Sequence, residues 1–117
     1  MAVEILGLVF AGSATPHRTA MTRLATDVLG LTRVDDPSAD ADMFDLPDGS
    51  RFAVADEWEP GGGTSRTIGF LVADIDAAVA GLRAAGVDVD EPAQTGRQRY
   101  AHFVAPDGEL YELVQER

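Results

Sequence analysis

The side chains best suited to chemistry gather near the C-terminal end. Tyr100, His102 and Glu112 supply a phenol, an imidazole and a carboxylate within a short stretch. Tyr100 and His102 are two residues apart, so on a strand they share a face. Whether Glu112 shares that face depends on the turn at Pro106-Asp107-Gly108. A two-residue loop pairs Phe103 with Glu112, and a three-residue loop pairs His102 with Glu112. The sequence leaves both open. If His102 and Glu112 meet, they can pass a proton to and from a carbonyl or hydroxyl group.

Other chemistries fail early. The chain has no cysteine, which removes disulfides, thiolate metal sites and cysteine nucleophiles. His17 and His102 have no second histidine at metal-binding spacing. Ser13 and Ser65 lack a nucleophile elbow. Gly61-Gly62-Gly63 leads into a strand pattern rather than a helix, so it is not a phosphate loop. Arg97 and Arg99 read as solvated, with closure over an anionic ligand as the alternative. Trp58 lies among Asp, Glu, Pro and Gly with little core nearby, which suits a cleft cap or a dimer contact.

The elements that must position these groups are legible from periodicity. Thr15-Pro16 reads as an N-cap and first helical residue, and Met21, Leu24, Ala25 and Val28 repeat at helical spacing, giving a helix over 16–28. Asp74 caps a second helix whose stripe is Ile75, Ala78, Val79 and Leu82, and Gly86 ends it. Strands are expected over 5–11, 31–34, 43–46, 51–55, 67–72, 87–89, 100–104 and 110–114. Phe10, Phe44, Phe70 and Phe103 read mainly as core.

At 117 residues with 45% hydrophobic content, the chain suits a single folded domain. Its formal net charge is −11 and every basic residue is arginine. That balance disfavours nucleic acid, which is bound through cationic contacts to phosphates, and suits a cationic ligand. No apolar run is long enough for a membrane span, and Met1 to Glu4 has no basic signal-peptide start. A cytoplasmic location is the expectation.

The two halves repeat. Gly7-Leu8-Val9-Phe10 matches Thr67-Ile68-Gly69-Phe70 sixty residues further on. Leu46-Pro47-Asp48-Gly49 matches Ala105-Pro106-Asp107-Gly108 fifty-nine residues further on. Each half reads strand, helix, strand, strand, strand. The expected division is module one over 1–55, a linker over 56–65, and module two over 66–117.

With Asp27-Val28-Leu29-Gly30-Leu31, Gly69 to Ala78, Leu82 to Val87 and Ala105 to Leu113, this pattern resembles the vicinal oxygen chelate superfamily. That superfamily includes glyoxalase I, extradiol dioxygenases and bleomycin- and fosfomycin-resistance proteins. The resemblance covers nearly the whole chain. It implies an α+β fold of tandem βαβββ modules, a curved mixed sheet with a concave cleft, and a homodimer. In metal-dependent relatives, His, Glu or Gln from the first and last strands of each module hold a divalent ion.

Carried over position by position, the resemblance gives Gly7, Ala53, Thr67 and Glu112. Only Glu112 is an ordinary ligand, so no metal and no other cofactor is expected. Together with the residues read from the strands and linker, the candidate site is Glu112 with His102 as acid–base groups, and Thr67, Tyr100, Trp58, Ala53 and Gly7 as lining. The leading expectation is a small-molecule-binding protein of the glyoxalase/bleomycin-resistance type without the metal site, taking a small organic, cationic ligand. The alternatives are a metal-independent lyase or isomerase using Glu112 with His102 or Tyr100, and a non-catalytic structural or regulatory dimer.

Overall fold

A computed structural model describes residues 3–117. Met1 and Ala2, part of the segment read for a signal sequence, lie outside the described residues. The chain divides into two compact units, one of Phe10–Arg66 and one joining the N-terminal segment through Val9 to Thr67–Arg117. Strand β1, Gly7–Thr15, is shared by both. Each half follows the order βαβββ, so the fold is α+β.

In the Phe10–Arg66 unit, β1 is followed by α1 (Arg18–Arg23), β2 (Thr32–Val34), β3 (Asp42–Asp45) and β4 (Arg51–Asp56). Strands β2, β3 and β4 pair antiparallel in turn, and β4 runs parallel to β1 with Phe10 opposite Arg51 and Gly12 opposite Ala53. Phe44, Val54 and Ala25 form the core, with Met21, Leu31 and Phe52 packed around them.

The first helix departs from expectation at both ends. Thr15 ends β1 and is not the helix cap; His17 takes that position with no side-chain bond. The Thr15 hydroxyl instead accepts from the His17 amide at 3.1 Å and bonds the Thr64 hydroxyl at 2.9 Å. After Arg23 the coil widens into a π-helical turn over Leu24–Val28, where the Leu29 amide reaches back five residues to the Leu24 carbonyl. The extra residue in the turn breaks the 3.6-residue phase. Ala25 stays buried, but Val28 is 73% exposed instead of completing the apolar stripe.

In the other unit, β5 (Ser65–Leu71) leads to α2 (Ile75–Ala84), then β6 (Ala93–Gln94), β7 (Gln98–Val104) and β8 (Leu110–Glu116). Helix α2 follows its sequence signals closely. The Asp74 carboxylate accepts from the Ala77 amide at 3.1 Å. At the other end, Gly86 adopts φ 83°, its amide donates to Arg83, and the Val87 amide donates to Leu82. That six-to-one bond satisfies carbonyls the helix would leave open, and its left-handed residue favours glycine. Ile75, Ala78 and Val79 bury against Val72, Val89, Ala101 and Leu113. Full burial of a side chain such as Ile75 contributes about 1.5–3 kcal/mol.

The expected strand over 87–89 is reduced to one bridge, Val89 with Phe103, and the paired strand lies later at Ala93–Gln94. Glu91-Pro92 intervenes, and proline lacks the amide that a continuous ladder needs. Both Pro-Asp-Gly hairpins share one geometry. The Ala105 amide donates to the Glu109 carbonyl and the Gly108 amide to the Ala105 carbonyl; likewise the Leu46 amide donates to the Ser50 carbonyl and the Gly49 amide to the Leu46 carbonyl. The glycines, Gly49 and Gly108, take φ 87° and 81°. Among the described residues, no helix is long and apolar enough to cross a membrane.

Candidate functional site

The three-residue loop Pro106-Asp107-Gly108 settles the register that the sequence left open. His102 lies directly opposite Glu112 in the antiparallel β7/β8 ladder. On these strands, Ala101, Phe103 and Leu113 pack toward the α2 core. By alternation, Tyr100, His102 and Glu112 point to the face away from α2. Gly69 is the parallel neighbour of Glu112 in β5, so Thr67, two residues earlier, shares that face.

His102 Nε2 lies 3.0 Å from Glu112 Oε2. The Glu112 side chain keeps 6% of its surface exposed, and the His102 side chain 30%. A carboxylate so deeply buried is costly unless a hydrogen-bond donor compensates it, and the imidazole is that donor. Their bond holds the His102 pKa above its usual 6.5; partial burial pulls the other way, and the charge of Asp90 adds to the rise. Asp90 is tied to this strand by its amide, which donates to the His102 carbonyl at 2.9 Å. Tyr100 sets its ring edge-on to the imidazole, with centroids 5.6 Å apart.

Thr67 is buried on the same face, and so is Gln98 at the start of β7. Gln98 was not singled out from the sequence, although it continues the alternation of Tyr100 and His102. Trp58 is 53% exposed on the Phe10–Arg66 unit. Arg99 does not face this site: it grips Asp76 of α2 through two bonds of 3.0 and 3.1 Å. His17 is exposed.

The registers also correct one internal correspondence. With Ala53 taken as the counterpart of Glu112 from the Pro-Asp-Gly repeat, Gly12, which stands opposite Ala53, corresponds to Gly69, which stands opposite Glu112. Counting back two residues from each glycine equates Thr67 with Phe10, not with Gly7. The short match of apolar residues between Gly7–Phe10 and Thr67–Phe70 slid by three places because strands of similar composition align in several registers. Gly7 is three residues before Phe10 at the start of β1 and is exposed.

A family-model comparison matches the Glyoxalase/Bleomycin resistance protein/Dioxygenase superfamily over residues 14–113. The chain belongs to this superfamily. Solved structures share the fold at low identity. Methylmalonyl-CoA epimerase from Mycobacterium tuberculosis superposes with a TM-score of 0.77 at 18% identity, covering 100% of this chain and 92% of that one. A substituted Streptomyces coelicolor methylmalonyl-CoA epimerase, in complex with 2-nitronate-propionyl-CoA, gives 0.74 at 22% identity, covering 96% and 98%. The Mn(II)-bound glyoxalase from Novosphingobium aromaticivorans gives 0.77 at 22% identity, covering 97% of this chain but 40% of that one. No curated protein matches the chain.

The superfamily's metal finds a poor donor set here. The four corresponding positions are Phe10, Ala53, Thr67 and Glu112. Phenylalanine and alanine offer no lone pair, and threonine is a weak neutral donor. The one carboxylate already accepts from His102. Among the described residues, no group of three or more His, Asp or Glu side chains could hold a metal ion. The residues present do not fit the ion.

Proposed function

We propose that this protein binds a small organic molecule without the metal that serves other members of its superfamily. The face carrying Thr67, Tyr100, His102 and Glu112 supplies the polar contacts. The observation that carries this reading is the Glu112–His102 bond of 3.0 Å: the carboxylate that would serve a metal is held by the protein's own imidazole. The net charge of −11 favours a cationic or basic aromatic ligand through the field of the whole molecule. The chain works as a cytoplasmic homodimer, and 1–55 and 66–117 act as two copies of one module joined by 56–65.

The same contact favours a second reading, an acid–base enzyme of lyase or isomerase type acting on a small carbonyl or hydroxyl substrate. Calorimetric titration with nickel, zinc and manganese, followed by metal analysis of the dialysed protein, tests both. The expected result is no stoichiometric ion. One ion per chain, lost in Glu112→Gln, would overturn the metal-free reading. Turnover of a bound ligand separates enzyme from binding protein.

A further inference from the structure

We propose that His102 meets the ligand through Nδ1, with Glu112 as the positioning residue that fixes the imidazole's tautomer and orientation. The inference rests on the metal-free reading above and names the atom that does its work.

The two ring nitrogens of His102 have different surroundings. Nε2 lies 3.0 Å from Glu112 Oε2, and their hydrogen bond leads in raising the His102 pKa. An ionised carboxylate only accepts, so Nε2 must carry a hydrogen in both the neutral and the charged ring. In the neutral ring that leaves the lone pair on Nδ1. Nδ1 has no hydrogen-bond partner among the described residues, and it is not sealed from solvent. The buried partner is therefore spent on orientation, and the open nitrogen is free for a ligand.

This arrangement selects ligand chemistry. A neutral ring offers an acceptor, so it takes a hydroxyl or N–H donor. A charged ring offers a donor, so it takes a carbonyl or carboxylate. When a ligand O–H passes its proton to Nδ1, the O–H bond breaks, an Nδ1–H bond forms, and the oxygen keeps the electron pair. The resulting imidazolium lies against the Glu112 carboxylate, which stabilises it. The charged and titratable groups around the ring are Glu112 on β8, Asp90 before β6 and Tyr100 on β7.

Histidine-labelled protein tests this by nitrogen NMR. His102→Gln assigns the two imidazole spin systems. The expected spectrum above the titration midpoint shows His102 as the Nε2–H tautomer, and Glu112→Gln lowers that midpoint. A dominant Nδ1–H form, or a tautomer mixture typical of free imidazole, would overturn the proposal. Diethyl pyrocarbonate, mapped by peptide mass, reports the open lone pair. Modification of both His17 and His102 is expected; a His102 that stays unmodified above its midpoint would count against it. A metal found at Glu112 defeats the reading beneath. A wrong tautomer in metal-free protein defeats this inference alone.

Discussion

Glu112 is almost fully buried, and His102, its direct partner across the β7/β8 ladder, keeps 30% of its side chain exposed. The pair is thus asymmetric, and losing either member has different consequences. Without His102, the carboxylate stays buried with no compensating donor. Without Glu112, the imidazole still reaches water.

His102→Ala should therefore destabilise the protein more than Glu112→Gln, by about 1–3 kcal/mol for the orphaned carboxylate. Combining His102→Phe with Glu112→Leu should recover much of that loss, because an apolar pair leaves nothing unsatisfied. Urea unfolding of the three variants checks this. Equal losses for the two single variants would show that the pair is not coupled.

The same pair sets a pH dependence. The folded-state pKa of His102 is raised, first by its bond to Glu112. Its contribution to stability is then fully present below the unfolded value of 6.5 and is lost as pH rises through the higher folded value. Unfolding free energy measured across neutral to alkaline pH should fall through this window, and the fall should vanish in His102→Gln. An unchanged slope in that variant would assign the fall to another group.

On the Phe10–Arg66 unit, Asp42 anchors a separate network. It accepts from Arg18 Nε and a terminal Arg18 nitrogen at 3.2 Å each, from Arg33 at 2.8 Å and from the Thr22 hydroxyl at 2.6 Å. The Arg18 bonds lead in lowering its pKa below the usual 3.8, with burial opposing them. This contribution is present above 3.8 and is lost as pH falls through the lower folded value. Asp42→Asn should cost about 1–3 kcal/mol at neutral pH and flatten the acid limb of the stability curve. Circular dichroism during acid and urea titration provides the measure. An acid limb that keeps its slope would place the loss elsewhere.

Helix α2 was legible because its signals agree: a capping aspartate, an apolar stripe and a terminal glycine all mark the same ends. Helix α1 was less so, since its stripe fits a regular coil while the π turn carries Val28 out of the core. The βαβββ order was readable from periodicity and the repeated Pro-Asp-Gly turns. Register was not, because a difference of one residue in loop length is invisible to hydrophobic pattern yet decides which side chains meet. That is why Tyr100, His102 and Glu112 could be named from sequence, while the His102–Glu112 contact and the Phe10–Thr67 equivalence could not.

The matched hairpins at 46–50 and 105–109 restrict where this chain can change length. Adding or deleting one residue in either loop turns the following strand over, sending its core residues outward and, in the second loop, parting His102 from Glu112. The exposed run from Trp58 to Gly63 carries no such parity. Insertions, tags or sequence drift are accommodated there, so length variation belongs to that segment while both Pro-Asp-Gly loops stay fixed in size.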